Sequence, residues 1–221
     1  MKLVIEGMDG VGKSTVANAI SKRFNMKYID GLMNTYFKDE GFSEHELDII
    51  HKAVGKFYGY DNSIIRTWIM GFANLFNLVN YGENVVIDRH CLTTYFYNAD
   101  EKSREIYKEM QKLVGKPDLV IILEAKPETR ICRIKSRNNM DPDLNEEVKL
   151  LYGYDKFEEA AEYLELKYKV VHTDNKTLKQ VIEEVENIIE LELKGGKIEW
   201  KNYVGLWQQN AIRVVDIVIV F

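Results

Sequence analysis

The sequence has no excess of basic residues. Thirty Lys and Arg stand against 35 Asp and Glu, a formal net charge of −5. With no basic stripe, nucleic acid is not an expected partner. Cysteine is scarce as well. The two residues, Cys91 and Cys132, lie far apart, form no metal-spaced pair and imply no disulfide framework, so a reducing compartment fits. No uninterrupted apolar run reaches the roughly 18 residues a membrane span needs, so no membrane partner is expected. The start of the chain, Lys2-Leu3-Val4-Ile5, runs directly into glycines. It lacks the apolar core and small-residue cleavage site of a signal peptide, and a cytoplasmic location is the expectation. Internal repeats and low-complexity linkers are missing too, and Gly195-Gly196 is the only clear break.

What is present suits one globular domain. The 221 residues are 46% hydrophobic, enough for one sizeable core. Short runs at residues 3–5, 26–29, 85–87, 119–123 and 168–172 predict five strands, of which 3–5, 85–87 and 119–123 read as buried. Helical stretches are expected at 14–24, 63–81, 102–114, 127–137, 146–166 and 177–193. Another should run from a capping box at Ser43 and Glu46 toward Tyr58. Strands alternating with helices imply a three-layer α/β/α fold with a parallel sheet. The domain is expected to span residues 1–194, followed by a tail at 195–221. The tail ends in an apolar run, Val214 to Phe221, compatible with an added strand, an oligomer contact or a cloning artefact.

Between the first strand and the first helix lies Gly7-Met8-Asp9-Gly10-Val11-Gly12-Lys13-Ser14, which matches G-x-x-x-x-G-K-[ST] at every fixed position. Glycines let the backbone curl so that its N–H groups point at phosphate oxygens, and the helix start adds its positive dipole end. Lys13 should reach the β- and γ-phosphates of ATP, and the Ser14 hydroxyl should bind Mg²⁺. Gly7, Asp9, Gly10, Val11, Gly12, Lys13, Ser14 and Thr15 form the expected nucleotide-binding set. Asp88 and Arg89 follow a buried strand at its carboxyl end, the edge where open α/β sheets bind ligands. There Asp88 can hold Mg²⁺ through water and Arg89 can clamp a phosphate. Arg130, Arg133 and Arg137, spaced i, i+3 and i+7, share one helical face. They could close over the transferring phosphoryl group or form a solvated basic face.

These residues bring a family into view. Glu6-Gly7-Met8-Asp9-Gly10-Val11-Gly12-Lys13-Ser14-Thr15 resembles the phosphate loop of thymidylate kinases. Asp88-Arg89-His90 resembles that family's Asp-Arg-aromatic signature, and Thr93 to Asn98 a drifted Ser-Ser-x-Ala-Tyr-Gln segment. Pro117-Asp118-Leu119 and Pro127-Glu128 fit as well, and the resemblance covers about residues 1–190. It implies a P-loop fold of strand order 2-3-1-4-5 and a nucleoside monophosphate kinase that uses ATP and Mg²⁺. It also implies that Asp9 binds the acceptor's 3′-hydroxyl and that Tyr97 and Asn98 contact the acceptor. Position 10 is glycine, so the catalytic arginine belongs to a lid at about 130–147, with Arg133 and Arg137 favoured. Lys13 and Arg89 complete the implied catalytic set.

Two departures limit the choice of acceptor. The family's Thr-Arg-Glu-Pro-Gly segment is missing, and Tyr28-Ile29-Asp30-Gly31-Leu32-Met33 stands in its place, closer to cytidylate kinases. The family's base-contacting arginine aligns near Trp68, and the nearest arginine is Arg66. Arg66 is a candidate for either task, with a surface or structural role left open. Asp30, at a strand end beside the loop, could be a general base for a nucleoside hydroxyl or a turn residue. The expected activity is transfer of the ATP γ-phosphoryl to a nucleotide acceptor such as dTMP. A nucleoside or small-metabolite kinase using Asp30 is the first alternative, and a non-catalytic nucleotide-binding module the second. A homodimer is compatible with the sequence.

Overall fold

A computed structural model describes residues 1–30, 34–75, 81–138, 140, 141, 144 and 155–195. Residues 76–80 and 146–154 of the expected helices, and the tail from 196, lie outside the described residues. A first compact unit spans Met1–Val185 and a second Glu186–Phe221.

Five strands form one sheet: β1 (Lys2–Gly7), β2 (Lys27–Asp30), β3 (Val85–Asp88), β4 (Leu119–Glu124) and β5 (Tyr168–His172). Their order is β2-β3-β1-β4-β5, and every pairing is parallel. This is the 2-3-1-4-5 order expected above. The central strands are buried on both faces: Leu3, Val4 and Ile5, Val86 and Ile87, and Leu119 to Leu123 expose 1% or less of their surface. That is why they read as unbroken apolar runs rather than alternating ones.

Helices α1 (Lys13–Phe24), α2 (Asn34–Asp39), α3 (Glu44–Gly55), α4 (Ser63–Leu75), α5 (Cys91–Asn98), α6 (Arg104–Val114), α7 (Pro127–Arg137) and α8 (Asp155–Tyr163) lie between the strands in sequence, and α9 (Leu178–Gly195) follows β5. The expected capping box opens α3. Ser43 N–H donates to Glu46 Oε2 at 2.8 Å, and Glu46 N–H to Ser43 Oγ at 3.3 Å. The short helix α2 buries no residue, so it has no apolar stripe to betray it.

Helix α5 is not announced locally either, because its cap comes from the other end of the domain. Glu6, fully buried near the end of β1, accepts the backbone N–H groups of His90 at 2.7 Å, Leu92 at 3.1 Å and Thr93 at 3.2 Å. Its other oxygen accepts the Thr93 hydroxyl at 2.5 Å. These N–H groups at the head of α5 would otherwise be orphans. Burial raises the Glu6 carboxyl's pKa, and the bonds from Thr93 and His90 oppose that rise.

Glu6→Ala should therefore cost about 3 kcal/mol or more, because it strands several buried donors at once. Urea denaturation measures this, and a loss under about 1 kcal/mol, no more than one ordinary hydrogen bond, would contradict the account.

Candidate active site

The glycine loop joins β1 to α1 at the carboxyl edge of the sheet. Gly7 has φ 137°, and a Cβ there would lie 2.2 Å from the Leu123 carbonyl oxygen of β4. Gly10 has φ 84°, and its Cβ would meet the backbone oxygen of Arg130 at 2.7 Å. The loop is thus pressed between β4 and α7 in a form only glycine tolerates. Gly12 precedes α1 in the left-handed conformation, with no side chain capping the helix and no acidic residue in its first turn. The N-terminal N–H groups and dipole are left for an anion. Val11 is buried at the turn, and Ser14 and Thr15 are exposed on the first turn of α1.

Within the curl, the Lys13 ammonium donates to the Met8 carbonyl at 2.8 Å and lies 3.7 Å from Asp9 Oδ1. Burial, and then Arg89, push it down to about 8, against the pull of Asp9. Arg89 Nη2 pairs with the same Asp9 carboxylate. Burial alone would raise the Asp9 carboxyl, but Lys13 and Arg89 outweigh it and hold it below its ordinary value. Burial also opposes the Arg89 charge, and Asp9 overcomes it, leaving that guanidinium above its usual pKa. Arg89 has φ 71°, a left-handed conformation unusual for a non-glycine and the kind of strain that clusters at functional sites. Two cations therefore share one carboxylate beside the loop, and the Asp88 and Glu6 carboxyls also act on both of them.

Asp88 ends β3, 2% exposed, and stands in register with Ile5 and Asp30. Its Oδ2 accepts the Tyr28 hydroxyl at 3.1 Å, while Oδ1 is buried without a hydrogen-bond partner. A buried carboxylate oxygen left in this way fits a cation or its water. No group of three or more His, Cys, Asp or Glu able to hold a metal occurs among the described residues. Magnesium that arrives on a nucleotide needs only one or two protein ligands, so Ser14 and Asp88 suit it.

Helix α7 carries the arginine face, and its members differ. Arg130 is 1% exposed, its backbone lies against Gly10, and its charge acts on Asp9. Arg133 donates to the Thr173 hydroxyl at 2.8 Å and carbonyl at 2.9 Å, and comes within 3.5 Å of the Val11 carbonyl. Arg137 is exposed and pairs with Asp141. Of the lid expected at 130–147, residues 139, 142, 143 and 145–147 lie outside the described residues.

The remaining candidates are more dispersed. Arg66 donates to the Tyr60 carbonyl at the head of α4, and Trp68 is 55% exposed. Tyr97 is half-buried against Phe96, with ring centroids 4.8 Å apart. Asn98 is buried and donates to the Thr94 carbonyl at 2.9 Å. Asp30 is exposed at the end of β2, and its N–H donates to Thr35 Oγ1 at 2.7 Å. Glu6 and Tyr28 carried no assigned role in the sequence, and Arg130 carried too little. Glu6 had a readable signal, a carboxylate closing an apolar strand. Arg130 was ranked below its neighbours. Tyr28, hydrogen-bonded to Asp88, had no local signal.

A parallel 2-3-1-4-5 sheet, a lysine-bearing glycine loop after β1 and an Asp-Arg pair after β3 define a P-loop kinase. Residues 3–153 match the family model described as an AAA domain, and the chain belongs to that family. Among curated proteins it is 27% identical over 208 residues to a probable thymidylate kinase of Archaeoglobus fulgidus, covering 86% of this chain and 95% of that one. It is 24% identical over 209 residues to a putative adenylate kinase of Pyrococcus furiosus, covering 90% and 91%. The Bacillus subtilis YorR protein, solved in complex with phosphorylated GDP, shares the fold at TM-score 0.52 and 20% identity, covering 86% of this chain and 96% of that one.

Gly10→Ala and Gly12→Ala should differ. Both place an alanine at positive φ, which costs about 1–2 kcal/mol. Only at position 10 does the Cβ meet backbone, whereas nothing lies within 4 Å at position 12. Gly10→Ala should lose a further 1–3 kcal/mol or so in urea denaturation, as overpacking does. Equal losses would contradict the packing of α7 on the loop.

Proposed function

We propose that this chain transfers the γ-phosphoryl group of ATP to a (deoxy)nucleoside monophosphate, with a dTMP-like acceptor favoured. One observation carries the reading: Lys13 and Arg89 converge on Asp9 at the loop. In this reading Lys13 serves the β- and γ-phosphates, Arg89 the acceptor phosphate and Asp9 the acceptor sugar. Catalysis is by positioning and charge neutralisation, with no covalent intermediate. Magnesium, held by Ser14 and Asp88, would supply further neutralisation of phosphate charge. Arg133 and Arg137 would act on the transition state from α7, and Arg66, Tyr97 and Asn98 would shape the acceptor site. The names of the curated archaeal relatives support a nucleotide acceptor. Residues 1–194 would carry the activity without nucleic acid or membrane, alone or as a homodimer. No helix among the described residues is long and apolar enough to cross a membrane.

One observation favours a second reading, a nucleoside kinase. Asp30 is exposed at the same sheet edge, in register with Asp88, where a general base for a neutral hydroxyl could stand. A monophosphate acceptor is already ionised and needs no base.

Lys13→Ala should lower turnover of ATP and dTMP about 10³-fold, as loss of a central electrostatic contact does. Near-wild-type ADP release would refute the loop's role. Asp30→Asn should keep kcat/KM within about tenfold on a monophosphate, whereas a lost general base costs about 10²–10⁴-fold. A nucleoside acceptor together with a loss in that range would make the second reading correct.

A further inference from the structure

We propose, on the nucleotide-binding reading given above, that Asp174 is a positioning residue for the phosphate loop, acting through the head of α7. Lys126 occupies the N-cap of α7. Its ammonium side chain has no lone pair with which to accept the orphan N–H groups there. Asp174, two residues past β5, takes over that task. Its carboxylate accepts the Lys126 N–H at 3.1 Å and 3.0 Å, and the Thr129 hydroxyl at 2.6 Å. Burial alone would raise the Asp174 carboxyl, but the bonds from Thr129 and Lys126 outweigh it and hold it below its ordinary value. The adjacent Thr173, 1% exposed, accepts Arg133 on its hydroxyl at 2.8 Å and on its carbonyl at 2.9 Å. The corner after β5 thus fastens α7 at its first turn and again one turn on.

The capped turn is also the surface on which the loop rests. Arg130 follows Thr129 directly, and its N–H donates to the Lys126 carbonyl at 3.0 Å. A Cβ on Gly10 would lie 2.7 Å from the Arg130 carbonyl oxygen and 3.0 Å from the Arg130 Cα. The Arg130 charge also acts on Asp9, the carboxylate shared by Lys13 and Arg89. Helix ends fray, most easily where the first N–H groups lack acceptors. Without Asp174 the head of α7 would loosen, and a nucleotide would have to restore the curl of the loop as it binds. Part of the cap's worth would then be subtracted from nucleotide affinity. A cap with a purely local role would change stability alone.

The test is a urea-denaturation cycle on the full chain. In the wild type Gly10→Ala should cost more than Gly12→Ala, because only at position 10 does the Cβ meet backbone. In an Asp174→Ala background the two should cost nearly the same, since the head of α7 can then yield. A gap as large as in the wild type overturns the inference, and so do equal losses in the wild type itself. The second readout is calorimetry with Mg²⁺ and a non-hydrolysable ATP analogue. Asp174→Ala should weaken binding about fivefold, the typical worth of a cap, and Asp174→Asn should restore it, because asparagine caps as well as aspartate does. Wild-type affinity in folded Asp174→Ala overturns the inference, as does a weakening that Asp174→Asn shares. Should Asp174→Ala fail to fold, Thr129→Val takes its place in both measurements, with Thr129→Ser as the restoring variant and the same outcomes deciding. A wild-type chain that binds no analogue overturns the proposed function, and this inference with it.

Discussion

The Glu6 carboxylate lies one residue before the glycine loop and holds the backbone of His90, Leu92 and Thr93. The loop after β1 and the Asp88-Arg89 corner after β3 are consequently tied to the same buried group. Removing an ion from water is expensive, and only several donors at close range make it tolerable. Four hydrogen bonds from the head of α5 do so here. The same bonds satisfy N–H groups that α5 would otherwise leave unpaired. Burial leaves His90 neutral, its imidazole pushed down to about 3, so beside Glu6 it adds a backbone donor rather than a second charge. The positions of Arg89 and of α5 follow from this one anchor.

On that frame the site concentrates charges of both signs, with Lys13 and Arg89 set among Asp9, Asp88 and Glu6. Lys13 is nearly buried and its ammonium is pushed down to about 8, a cost the fold carries by placing Asp9 between it and Arg89. A phosphate entering such a site meets backbone N–H groups and cations that are already oriented, so little reorganisation remains at the moment of transfer.

How much of this was legible depended on how local each cause is. The central strands β1, β3 and β4 are buried on both faces and so declare themselves as apolar runs, and the α3 capping box lies within four consecutive residues. The phosphate loop is equally local, a contiguous motif between a strand and a helix. Helix α5 was invisible because its cap is 84 residues away in sequence. The arginine face of α7 was only half legible. Helical periodicity identifies residues that share a face, but not which end of that face meets the core. In the fold Arg130 is buried against the loop, Arg133 is fastened to Thr173, and Arg137 reaches solvent beside Asp141. Tyr28 was illegible because its partner comes from β3, and only the sheet register brings the two together.

The central claim is that the Lys13–Asp9–Arg89 cluster at the loop exists to move a phosphoryl group between nucleotides. The most direct test is a coupled ADP-release screen with MgATP, offering each common nucleoside and nucleoside monophosphate in turn. The account predicts acceptor-dependent ADP release with at least one monophosphate, a deoxynucleotide such as dTMP foremost, and none above background with nucleosides. ADP release that depends on a nucleoside instead, or on no acceptor at all, would contradict it.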